Sequence, residues 1–110
     1  MADKSWKAFE RAVAKYFGCL RNSLSGSNSK ATRSDTLHPQ LFVECKHAKR
    51  IAVWSLFQKT KELAMKEDKI PVLALKQKHG EGFLVVCDSR DLQEVAHEQV
   101  SEDSVRIQEG

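Results

Sequence analysis

Apolar positions fall into blocks whose spacing names the elements. From Ser5 to about Phe17, the residues Trp6, Phe9, Val13, Tyr16 and Phe17 recur at i, i+3, i+4 and i+7 intervals. That is the stripe of an amphipathic helix, with Ser5 as N-cap and Gly18 ending it. A second helix fits from Ile51 or Ala52 to about Lys66. There Val53, Phe57, Thr60 and Ala64 share a stripe, Leu56 and Leu63 lie beside it, and Lys59, Lys61 and Lys66 fall off the core face. The near-continuous apolar run Ile70 to Lys76 predicts a strand covered on both faces, with Pro71 tolerable at its start. Gln77 to Gly82 turns the chain back into Phe83 to Cys87, a second buried strand, so the two form a hairpin. Asp88-Ser89 caps a last short helix reaching about His97.

The stretch between the first two helices is less regular. Cys19 to Leu24 fits a short strand, and Ser23 to Ser34, rich in Ser, Gly and Asn, reads as a mobile loop. Leu41 to Cys45 predicts a buried strand. With Pro39-Gln40 as a two-residue turn, a hairpin would set Leu37 opposite Phe42 and Asp35 opposite Glu44. The expected order is α-β-β-β-α-β-β-α, an α/β domain with a central mixed sheet flanked by helices. No repeat or boundary divides residues 1–110, which predict a single domain. Val100 to Gly110 is acidic and polar, held by only Val105 and Ile107, and is expected to be partly disordered.

Composition narrows the class. An apolar fraction of 41% and a charged fraction of 30% suit a soluble globular chain, and no apolar run approaches the roughly 20 residues of a membrane span. No signal-peptide core follows Met1, so the expected location is the cytoplasm, with no membrane partner. Cys19, Cys45 and Cys87 are widely spaced and read as reduced thiols, buried at Cys45 and Cys87. His38, His47, His79 and His97 lack metal-ligand spacing and read as surface or turn residues. Residues 1–60 hold 11 Lys+Arg against 4 Asp+Glu, and residues 61–110 hold 7 against 11, so a net +7 half faces a net −4 half. A basic half marks a polyanion-binding face.

Charge inside the apolar pattern is the chemical signal. Glu44 and Lys46, two apart on a strand, point to one face, while Val43 and Cys45 point to the other. Asp35 opposite Glu44 would bring two carboxylates within roughly 4.5–5.5 Å at Cβ, which repel unless a cation or proton sits between them. Glu10 lies at the edge of the first helix's apolar stripe, where it either reaches solvent past the rim or borders the same site. Oxygen ligands of this kind suit Mg²⁺ or Mn²⁺. Such an ion lowers the pKa of a bound water and stabilises charge on a phosphoryl group. Lys46 could position or help deprotonate that water, or neutralise transition-state charge. Lys30 and Arg33 in the loop, its small hydroxyls, and Lys49 and Arg50 past the strand would hold a phosphate backbone.

At these residues the sequence resembles the PD-(D/E)xK nuclease superfamily, whose fold is a restriction-endonuclease-like core. The match runs through Glu10 on the first helix, Asp35, the E-x-K element Glu44-Cys45-Lys46, and Gln58 on the following helix. Within the superfamily it looks most like the archaeal-type Holliday junction resolvases, over about Trp6 to Cys87. Ser34 stands before Asp35 in place of the motif's proline, and the spacing of nine residues from Asp35 to Glu44 demands a tight hairpin. The resemblance implies a Mg²⁺-dependent, structure-selective DNA endonuclease, acting as a homodimer on four-way junctions. Glu10, Asp35 and Glu44 would be its metal ligands, with Lys46 and Gln58 catalytic beside them. It also implies an active-site serine in the loop, for which Ser25, Ser27 and Ser29 are candidates. The rival expectations are a nicking or restriction-type nuclease on duplex DNA, and a non-catalytic DNA-binding protein of the same fold.

Overall fold

The structure, a computed structural model, describes residues 5–23, 32–78 and 80–100. Among them, helix α1 (Ser5–Tyr16) precedes strand β1 (Leu41–His47), helix α2 (Val53–Lys66), strand β2 (Ile70–Lys76), strand β3 (Leu84–Val86), a single 3₁₀ turn (Ser89–Asp91) and helix α3 (Leu92–His97). The strands form a mixed sheet in the order β1-β2-β3. β1 runs parallel to β2, with Val43 beside Val72 and Lys46 beside Leu75. β3 returns antiparallel, with Leu75 beside Leu84. The chain is a small α/β domain with helices on both sheet faces.

Alternation along the strands divides the core as the pleat requires. Leu41, Val43, Val72 and Ala74 pack with Phe9, Val13 and Phe17 of the α1 region, and with Val95 of α3. Leu73 and Leu75 point the other way, against Phe57 of α2. β2, central and fully buried at Val72, Leu73 and Ala74, behaves as its apolar run predicts.

Both long helices end in paired backbone bonds around a left-handed residue. After α1, Cys19 N–H donates to Ala14 O and Gly18 N–H to Lys15 O, with Gly18 at φ +69°. A Cβ at Gly18 would also lie 2.8 Å from Val100 Cγ2, so this position requires glycine on two counts. Val100 N–H donates to Tyr16 O at 2.8 Å, tying the segment after α3 to the end of α1. After α2, Lys69 N–H bonds Ala64 O and Asp68 N–H bonds Met65 O around Asp68 at φ 56°. The Asp88 side chain accepts from Arg90 N–H and caps the 3₁₀ turn, as its sequence context predicts.

The segment before β1 departs from expectation. The expected strands at 19–24 and 34–37 amount, among the described residues, to one isolated antiparallel bridge between Arg21 and Thr36. The hairpin with β1 is absent, and its proposed turn shows why. Buried His38 accepts both Gln40 N–H (3.0 Å) and Leu41 N–H (3.1 Å) at Nδ1, taking the Leu41 amide that a two-residue turn would have aimed at the His38 carbonyl. Its Nε2 lies 3.1 Å from Glu98 Oε1. His38 is thus an interior turn residue, its pKa lowered first by burial. The three cysteines are free thiols of intermediate exposure, less buried than expected at Cys45 and Cys87. Among the described residues no helix is long and apolar enough to cross a membrane. Of the tail expected from Val100 to Gly110, Val100 is held by its bond to Tyr16, and residues 101–110 lie outside the described residues.

Candidate functional site

β1 is an edge strand, so every second amide and carbonyl on its outer side needs a partner. Here side chains from the preceding segment supply much of that pairing. Ser34 Oγ accepts Val43 N–H at 2.8 Å and donates to Val43 O at 3.2 Å, standing where another strand's peptide would be. Asp35 N–H donates to Val43 O at 2.9 Å. Asp35 Oδ2 then accepts Cys45 N–H at 2.8 Å. The Asp35 peptide carbonyl turns away and accepts Asn22 N–H. Asp35 is therefore bound to the β1 edge by its amide at Val43 and its carboxylate at Cys45, in place of the expected pairing opposite Glu44.

Three carboxylates converge on this edge from different elements. Asp35 lies along the edge. Glu44 belongs to the α2 face, like its neighbour Leu73 across the sheet. Glu10 arrives from α1 and is 8% exposed, so of its two sequence alternatives it takes the site border. The electrostatics record the crowding. Burial first, then Glu10, pushes the Asp35 carboxyl up to about 6 against the pull of the Cys45 amide. Burial, Asp35 and Glu10 push Glu44 up to about 7 against the attraction of Lys46. The Cys45 thiol is driven far up, by burial and then by the charges of Asp35, Glu10 and Glu44.

Arg21 completes the cluster, and sequence periodicity does not reveal it. Its Nε lies 2.8 Å from Glu10 Oε1, with both side chains largely buried. Its guanidinium also sits 5.5 Å from the Trp6 ring centre and lowers the Asp35 pKa. Arg21 and Ser34 stand in short polar stretches where no apolar repeat marks them. Ser34 had one available signal, its adjacency to Asp35, and Arg21 had none.

The remaining sequence candidates are spread around this edge. Lys46 is exposed and acts on Glu44; Lys49 and Arg50 are exposed just beyond β1. Gln58 is exposed on α2, and its side chain makes no hydrogen bond among the described residues. Arg33 is exposed, and its N–H donates to Glu67 Oε2 at 2.9 Å. Asn22 Nδ2 donates to Ser34 O and Thr32 O, tying Asn22 to the segment that leads into β1. Ser25, Ser27, Ser29 and Lys30 lie outside the described residues.

Among the described residues no group of three or more His, Cys, Asp or Glu side chains is arranged to hold a metal ion. Glu10 is turned toward Arg21, which leaves Asp35 and Glu44 as a two-carboxylate donor set. That set fits Mg²⁺, which binds through one or two carboxylates while waters and substrate phosphate fill its other positions. The mutual repulsion of Asp35 and Glu44 is the second mark of fit, because a cation between them relieves it. Comparisons of the chain with protein-family models, curated proteins and solved structures found no match.

Proposed function

We propose that the chain is a divalent-metal-dependent DNA endonuclease of the PD-(D/E)xK type, selective for DNA structure and acting as a homodimer on four-way junctions. One observation carries the proposal: an Asp anchored to the β1 edge beside a Glu-x-Lys strand, with both acids destabilised as anions. In this reading Asp35 and Glu44 hold the ion, and Mn²⁺ substitutes for Mg²⁺. The bound ion supplies a water of lowered pKa and charge stabilisation at the phosphoryl group. Lys46, on the face of Glu44, neutralises charge building on the phosphate and orients the attacking water. Arg21 holds Glu10 at the border of the site. Lys49 and Arg50 extend positive charge along the path of the DNA backbone.

A single assay separates this from its rivals. Purified protein with Mg²⁺ is offered matched four-way junction, flap, linear duplex and single strand. Symmetric paired nicks on the junction alone support the resolvase reading and its two-site homodimer. Equal cutting of linear duplex replaces it with a general nuclease, and binding without cutting of any substrate leaves a DNA-binding protein.

A further inference from the structure

A cavity of about 670 Å³ opens just past the ends of β1 and β2, between the link into α2 and the β2–β3 turn. Leu75 forms part of its floor and belongs to the core under α2, the face that also carries Glu44 and Lys46. Leu75 is the register neighbour of Lys46. The backbone of this floor residue therefore lies one strand spacing, about 4.8 Å, from that of the lysine.

Its walls join two chemistries. Ile51, Val53, Leu75 and Leu84 make an apolar floor, and Leu84 is 69% exposed although it borders the core. Lys49, Arg50 and Lys76 line the cavity against the single acid Glu81, a formal lining charge of +3 − 1 = +2. Lys76 shapes the turn by donating to Gly80 O (2.6 Å) and Gly82 O (3.3 Å). Lys49 and Arg50 are exposed and carry no hydrogen bond or ion pair among the described residues. The adjoining start of α2 has no side-chain cap and no acid in its first turn, so nothing there opposes an anion.

We infer that this cavity receives one unstacked nucleotide of the strand whose phosphate lies at Glu44 and Lys46, with the base on the Ile51–Leu75–Leu84 floor and a phosphate on Lys49 and Arg50. The inference rests on the reading of the β1 edge as a phosphodiester site. A duplex backbone would need the cations but not the floor, and an apolar ligand would need the floor but not the cations. A nucleotide needs both, and packing of its face tolerates any base. A base stacked within continuous duplex cannot reach the floor without leaving its pair. The cavity thus favours DNA that already offers an unpaired nucleotide beside the scissile bond, as a flap or a single strand does, or a junction whose pairing opens at the branch point.

The test uses the full chain without divalent metal, so it does not depend on cleavage. Methyl-labelled protein is titrated with deoxyadenosine monophosphate and with a short single-stranded oligonucleotide. The methyl signals of Ile51, Val53, Leu75 and Leu84 are expected to shift with both. An abasic unit, moved through the oligonucleotide, is expected to weaken binding about tenfold at one position. Leu84→Asn, with an unchanged melting temperature, should bind the intact and abasic strands equally. Lys49→Ala should weaken both alike and reduce the salt dependence by about one phosphate contact. Methyl signals unmoved by the oligonucleotide would overturn the inference, as would equal shifts from an acidic peptide of matched charge. Failure of the nuclease reading shows separately, as a junction left uncut with Mg²⁺ while the methyl signals still respond.

Discussion

The Asp35 carboxylate is fastened to the backbone of Cys45 at 2.8 Å, and Cys45 is the residue between Glu44 and Lys46. One peptide amide thereby sets the position of Asp35 relative to both neighbouring charged side chains. Asparagine keeps the acceptor and removes the charge, so the contact and the chemistry can be separated.

Asp35→Asn and Glu44→Gln are each expected to lower junction cleavage by about two to three orders of magnitude. DNA binding should persist or tighten, because repulsion between carboxylate and phosphate is relieved. Cleavage rates measured beside gel-shift affinities in Ca²⁺ check this, and near-normal cleavage by either variant would sink the metal assignment.

Lys46→Ala should remove most turnover while leaving divalent-ion affinity intact, as read by calorimetric titration. Lys46 is exposed, so stability should move by less than about 0.5 kcal/mol. An unaltered turnover rate would make this lysine a surface charge only.

Acidity gives a third prediction. Asp35 is pushed to about 6 from 3.8, and Glu44 to about 7 from 4.5, so the folded chain binds these protons more tightly than the unfolded chain. Their stabilising contribution is full below the ordinary values and is lost as the pH rises through about 6 to 7. His38 acts oppositely, since burial lowers its pKa and its contribution is lost as the pH falls below 6.5. Comparison with Glu44→Gln cancels His38. Without divalent ion the variant should be more stable than the parent by on the order of 2–3 kcal/mol at pH 8, and nearly equal at pH 4.5. Mg²⁺ at pH 8 should close the gap. Thermal melts at the two pH values decide it; equal gains at both would show that charge is not the cause.

Ser34→Ala removes the hydroxyl that accepts Val43 N–H and Thr36 N–H. Two buried amides then lack that partner, at a cost of about 2–4 kcal/mol in urea unfolding. Cleavage by the folded variant should fall as well, because Ser34 sets the path of the chain into Asp35.

Arg21→Gln leaves the Glu10 carboxylate without its cation beside two other acids. The expected loss is about 3 kcal/mol at pH 8. It should shrink at pH 5, where Asp35 and Glu44 take up protons. A loss independent of pH would point to packing against Trp6 instead.

Where side chains met a periodic core, the sequence was legible. Two expectations fail at the rim: Trp6, at the head of the first stripe, is 46% exposed, and β3, expected as a buried strand, is an edge strand exposed at Leu84 and Val85. Phe9, Val13 and Phe17, the α2 positions Phe57, Thr60 and Ala64, and Val72 to Leu75 of the Ile70–Lys76 run bury as their spacing requires. So does the placement of Glu44 and Lys46 on the face away from Val43 and Cys45. The segment before β1 was not legible, because side-chain-to-backbone bonds hold it. Ser34 and His38 satisfy strand and turn amides with single atoms, and such bonds leave no repeat in the pattern. The Glu10–Arg21 pair joins two elements through an irregular stretch, so only the folded chain reveals it.

The bond from Val100 to Tyr16 bears on the order of assembly. α1 is the first helix of the described chain, yet Phe83, Val95 and Val100 from its far end pack on or fasten it. Contacts so distant in sequence form late, after the long loop between them closes. Glu10 rides on α1, so the third acid joins Asp35 and Glu44 only when that closure is complete. Asp35 and Glu44 are brought together within one local segment, whereas the place of Glu10 beside them depends on residues more distant in the chain than any other part of the site.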